Sequence, residues 1–180
     1  MNGAAWLQTM TKKYDYYKKM CEKAIAQVND QDFFTPLAGN PNSLAIVIKH
    51  LGGNHRSRWR DFLTSDGEKD DRNRDWEFVV EGETRQSVMA VWEDGWQITF
   101  DELARLSDAD LEKEITIRGE PMTVVEAMVR NMNHLAYHAG QVVHLARQFA
   151  GDRWESMSIP VGESEKFNQK MRDKFGEWRG

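Results

Sequence analysis

The chain has 180 residues, 40% of them hydrophobic and 29% charged, which suits one globular domain with a sizeable core rather than a disordered chain. Its formal net charge of -5 argues against a general nucleic-acid binder, whose footprint is a basic surface. The single cysteine, Cys21, excludes an internal disulfide and any cysteine-based metal cluster, so a bound metal must rely on histidines and carboxylates.

In chain order, the first helical pattern runs from about Ala5 to Val28, with Trp6, Leu7, Met10, Tyr14, Tyr17, Met20, Cys21 and Ala24 at three- and four-residue spacing. Cys21 reads as a small core residue. Phe33 to Asn42 reads as a loop, broken by Pro36, Gly39 and Pro41. Ser43 is a suitable N-cap for a second helix reaching Leu63 or Thr64. Gly52 and Gly53 in its middle are poor helix formers and instead permit close helix packing. A polar loop, Asp66 to Asp71, follows. A third helix starts near Glu83 and carries Val88, Met89, Val91, Trp92, Trp96, Phe100, Leu103 and Leu106, with Asp94-Gly95 as a candidate break. Glu114 to Glu120 alternates and ends in a turn signal, which predicts a small strand or hairpin at the edge. The fourth helix spans Met122 to Ala150, with Gly151 as its C′ residue. A final short helix is expected near Glu163 to Phe175. Four long helical segments with little strand signal predict an all-α helix bundle, with a core at about 5–151 and an extension at 152–180 in one domain spanning 1–180.

The chain has five histidines, so their placement is informative. His134 and His138 are four residues apart on the fourth helix, a net turn of about 40°, so both rings point the same way. On a helical wheel they stand at the edge of an apolar arc that holds Leu135, Met128, Val142 and Ala146, whereas His144 falls on the polar face beside Glu126. Two imidazoles one turn apart form half of a metal site, or a pair of buried polar residues. On the second helix, His50, Asn54, Ser57 and Asp61 form one polar line at the edge of the apolar stripe. His55 lies about 140° from His50, among the apolar positions, and periodicity leaves both open as the partner of the pair.

Several segments together resemble the DinB/YfiT-like putative metalloenzyme superfamily, most closely a Bacillus-type branch of uncharacterised function. They are His50-Leu51-Gly52-Gly53-Asn54-His55, Asp61-Phe62-Leu63, Asp94-Gly95-Trp96, Ile117-Arg118-Gly119-Glu120, His134-Leu135-Ala136-Tyr137-His138-Ala139-Gly140-Gln141 and Ser158-Ile159-Pro160-Val161-Gly162. The resemblance covers nearly the whole chain. It implies a four-helix bundle of up-down-down-up topology in which three histidines hold a divalent metal, zinc or nickel first and iron next. Carried over by position, those are His50, His134 and His138. The resemblance thus favours His50 over His55.

Three imidazoles leave an ion its full charge and an open position, the layout of a catalytic site. Characterised relatives include transferases and isomerases that use low-molecular-weight thiols such as bacillithiol, so the resemblance implies a metal-dependent thiol S-transferase. A metal-dependent hydrolase and a non-catalytic metal-binding stress-response protein are the alternatives. Asn54, Asp61 and Gln141 are candidates to orient the ligand rings, with Asn54 first because it lies one turn from His50. Arg58 is a candidate for an anionic substrate or cofactor group, or a surface ion pair. The expected partners are a small-molecule substrate and a second copy of the chain in a homodimer, without nucleic acid or membrane. The opening residues show no basic region followed by an apolar run, and no stretch reaches membrane-span length, so a cytoplasmic location is expected.

Overall fold

A computed structural model describes residues 2–176. The described residues form six helices, α1 (Gly3–Ile25), α2 (Asp30–Phe34), α3 (Leu44–Trp59), α4 (Arg85–Arg105), α5 (Val124–Ala150) and α6 (Ser164–Phe175), with one two-stranded antiparallel hairpin, β1 (Glu114–Ile117) and β2 (Glu120–Thr123), between α4 and α5. The chain is therefore mostly helical. The four long helices contact one another in a ring, α1 against α5, α5 against α3, α3 against α4 and α4 against α1. Their inward side chains merge into one hydrophobic core. No described helix is long and apolar enough to cross a membrane.

Local chemistry sets the boundaries. Asn2, Asn29, Ser43, Thr84 and Thr123 each accept a backbone N–H at the start of a helix, which satisfies donors that the first turn leaves free. The Asn29 cap, with Asp30 and Asp32 behind it, starts α2 between the first helix and the stretch expected as loop, of which it takes in Phe33 and Phe34. Phe33 on that short helix is fully buried, so it plugs the core rather than running over the surface. Helix α3 ends at Trp59, four or five residues before the expected Leu63 or Thr64. Arg60 is extended and Asp61 takes a φ of 51°, a left-handed conformation that Asp tolerates better than most residues. The first strand lies where the alternation placed it, but the second runs on to Thr123, so α5 starts at Val124 rather than at the expected Met122.

Gly52 and Gly95 explain how α3 and α4 meet. A Cβ on Gly52 would lie 2.5 Å from the Val91 carbonyl oxygen, and one on Gly95 would lie 2.4 Å from the Gly52 carbonyl oxygen. The two backbones approach so closely that only hydrogen fits between them. The Asp94-Gly95 pair is therefore a contact point within a continuous helix, not a break. Around this crossing Trp92, Trp96, Trp59 and Tyr14 are fully buried or nearly so, each contributing roughly 1.5–3 kcal/mol through burial. Cys21 is fully buried, and burial pushes its thiol up to about 12, as befits an inert core residue.

Candidate metal centre

Three of the five histidines converge between α3 and α5. His134 Nε2 lies 3.2 Å from His50 Nε2 and 3.1 Å from His138 Nε2. The i, i+4 spacing on α5 puts the second pair on one helix face, and the α3–α5 contact brings His50 to it. His144 is exposed on the opposite side of α5. His55 points into the core instead. Its Nδ1 donates to Thr99 Oγ1 at 2.9 Å, and its ring lies over Trp96 with centroids 4.2 Å apart.

Outside this cluster, other groups hold the ring nitrogens. His50 Nδ1 donates to the Glu77 carboxylate at 2.8 Å, and His138 Nδ1 donates to Gln141 Oε1 at 2.7 Å. Each bond fixes a tautomer in which Nε2 carries a lone pair facing the cluster. Burial, followed by the positive fields of His138, His50, Arg58 and Arg72, lowers the pKa of His134 to about 3. Burial and the field of His50 lower that of His138 to about 4, against the opposing bond from Gln141. Both rings are therefore neutral at pH 7.

This arrangement provides a test of fit for a metal. With Nδ1–H of His50 and of His138 committed to Glu77 and Gln141, three neutral rings leave at most one proton, on His134 Nε2, between the three nitrogens. It can serve one of the two close contacts but not both, so the other sets lone pair against lone pair. A cation among them satisfies all three. Ligands ~2.0–2.1 Å from a tetrahedral zinc stand about 3.3 Å apart, close to the spacing seen here. The donor set and its spacing fit a divalent ion.

Glu77 is the partner that sequence reasoning missed. It lies on a short 3-10 turn, Asp75–Phe78, in the connection between α3 and α4. It is 1% exposed, and Arg72 holds both its oxygens, Nε to Oε1 at 2.8 Å and an Nη to Oε2 at 3.0 Å. Burial works to raise its pKa, but the bonds from His50 and Arg72 outweigh it and keep the carboxylate ionised. Gly53 makes the room, because a Cβ there would stand 2.6 Å from Glu77 Oε1. No periodicity marks this loop; an acid directly ahead of the apolar Phe78-Val79-Val80 run was the available signal.

The other predicted residues divide. Gln141 bonds His138. Asn54 lines the same cavity, but its Oδ1 accepts from Asn131 Nδ2 at 3.2 Å and it bonds none of the three clustered histidines. The bond to His50 that was expected of Asn54 is made by Glu77 instead. Asp61 lies beyond the end of α3, exposed, and does not line the cavity, because the helix that would have aligned it with His50 stops at Trp59. Arg58 donates to the Glu68 carboxylate at 2.7 Å and to the Gly67 carbonyl, and it lines the cavity from a half-buried position.

The cavity over the histidines has a volume of about 350 Å³, within the range of small-ligand sites. A larger groove of about 1280 Å³, between α1 and residues 153–170, contains none of the histidines. No curated protein and no solved structure matches the chain. Residues 1–163 match the family described as "Protein of unknown function (DUF1572)", and the chain belongs to that family.

Proposed function

We propose that this chain is a divalent-metal-dependent enzyme of the DinB/YfiT-like kind. In this reading it is one domain whose core is an up-down-down-up bundle of α1, α3, α4 and α5. His50, His134 and His138 are its metal ligands. The observation that carries the proposal is the convergence of three imidazole Nε2 atoms, that of His134 standing 3.2 Å from His50 and 3.1 Å from His138. Imidazole ligands suit zinc, nickel and iron alike, and it is the resemblance that favours zinc or nickel. Such an ion supplies Lewis-acid chemistry on the side that the protein leaves open to the cavity.

The chain's own groups prepare that side. Glu77 and Gln141 hold the Nδ1 protons of His50 and His138, so neither ring can turn its lone pair away. Arg72 keeps Glu77 ionised and in place. The Phe78 ring lies beside His50, with centroids 5.0 Å apart, and shields that ligand from water. His55 serves the core and not the site.

The reaction class that the resemblance favours is S-transfer from a low-molecular-weight thiol. The thiol sulfur bonds to an electrophilic carbon, the leaving group departs with the bonding pair, and the thiol proton passes to solvent. Zinc- or nickel-loaded protein incubated with bacillithiol and monochlorobimane tests this. The expected result is bimane conjugation above the uncatalysed rate that His138→Ala abolishes. Background rates across several thiols and both metals would overturn the transferase reading.

A further inference from the structure

We propose that the cavity over the three histidines admits a small molecule through an oxyanion, a carboxylate or a phosphate, which Arg74 and Arg118 hold at its rim. This rests on the reading that the histidine end of the cavity is where chemistry occurs.

The charges around the cavity carry the argument. Arg58, Arg72, Arg74, Arg118 and Arg130 all line it, and among the described residues no Asp or Glu does. This occurs in a chain whose net charge is -5, so the cavity inverts the sign of the whole. The carboxylates that pair these arginines stand behind them. Glu68 is shared by three, Arg58 at 2.7 Å, Arg72 at 3.0 Å and Arg118 at 3.4 Å. Glu77 serves Arg72, and Glu120 serves Arg130. Four of the five guanidinium groups therefore share three carboxylates. Arg74 has no carboxylate partner among the described residues; it lies over the Phe78 ring, 4.9 Å from its centroid. A cleft lined by one sign of charge concentrates ions of the opposite sign.

Position singles out two of the five. Arg58 and Arg72 are committed to the frame, the first to the Gly67 carbonyl and Glu68, the second to Glu77. Arg74 stacks on Phe78, which in turn packs against His50, so one column of groups runs from rim to ligand. Arg118 sits at the hairpin turn with a φ of 57°, and Asp66 holds that turn by accepting from the backbone N–H of Arg118 at 2.7 Å and of Gly119 at 2.8 Å. Asp66 thus fixes the backbone from which Arg118 reaches over the cavity. Its side chain is 57% exposed, and its Glu68 contact is the longest of the three, so the guanidinium is available to a ligand. Guanidinium groups suit both carboxylate and phosphate because their planar donors match either bidentately.

The test is a titration of untagged protein, metal-free and zinc-loaded, with inorganic phosphate, with malonate and with uncharged malonamide. Arginine Nε–H signals are followed by NMR, and zinc content is measured on the same samples. The expected result is a saturable shift of the Arg74 and Arg118 signals with at least one anion and none with malonamide. A response to phosphate alone or to malonate alone supports the proposal and identifies the source of the oxyanion. Arg74→Gln and Arg118→Gln should each weaken binding about tenfold, the loss of one charge-assisted hydrogen bond. Both side chains lie at the rim, and retained histidine resonances would show that the variants fold.

Absence of a saturable shift with either anion overturns the proposal. So does an equal response to malonamide, or unchanged binding in the double variant. One equivalent of zinc without anion binding would overturn this inference and leave the metal reading standing. Anion binding without zinc would support this inference and overturn the metal reading alone.

Discussion

The carboxylate of Glu77 lies 2.8 Å from Nδ1 of His50, across 27 positions of sequence, and both side chains are buried. A metal-ligating histidine gains basicity and a fixed tautomer from such a partner. Glu77→Gln retains an acceptor but removes the charge. It should lower metal affinity by about 10–100-fold, read by competition with a chelator of known affinity. Unchanged affinity would mean that Glu77 serves only Arg72.

Gly52 and Gly53 are adjacent, yet their substitution should do different things. Alanine at Gly52 meets the rigid backbone of α4, 2.5 Å from the Val91 carbonyl oxygen. Overpacking of this kind costs about 1–3 kcal/mol, more than the ~1 kcal/mol gained in helix propensity. Gly52→Ala should therefore lower the thermal midpoint while leaving metal affinity nearly intact. Alanine at Gly53 meets the end of a side chain, Glu77 Oε1 at 2.6 Å. Gly53→Ala should displace that carboxylate from His50 and weaken metal binding with the smaller effect on stability. Calorimetric melting and chelator competition on both variants separate the two outcomes.

Much of the site was legible because one helix carries it. His134, His138 and Gln141 share a face of α5 by spacing alone, and His144 falls outside it by the same rule. His50 needed the resemblance, since His55 satisfied the periodicity equally well. The structure separates them through partners that no local pattern contains: Glu77 for one, Thr99 and Trp96 for the other. The polar line of α3 held for three residues. His50 bonds Glu77, Asn54 bonds Asn131 and Ser57 bonds the Gly67 carbonyl. It failed at Asp61, where a left-handed residue turned the chain after the helix had ended. Helix α2 was hidden by the breakers just beyond it, although Asn29 with Asp30 and Asp32 is a capping signal.

His55 yields a pH prediction. Burial above all, with the fields of His134 and His50, lowers its pKa to about 3. The unfolded chain titrates near 6.5, so below that pH it binds a proton that the folded chain refuses. Stability contributed by His55 is therefore present above about pH 6.5 and is lost as pH falls toward 3. His55→Phe removes this contribution along with the bond to Thr99. In urea unfolding of metal-free protein, the variant should be less stable than the parent at pH 7.5, by about 1 kcal/mol, and the gap should close or reverse at pH 5. A gap that widens on acidification would contradict the assignment.

The central claim is that His50, His134 and His138 hold one divalent ion. Titration of untagged, metal-free chain with cobalt(II), followed by its visible d–d absorption, tests it directly. The account predicts a saturating band with its endpoint at one equivalent per chain, lost in His134→Ala and His138→Ala and kept in His55→Phe and His144→Ala. A titration without a saturating endpoint, or one that survives His134→Ala, would contradict it.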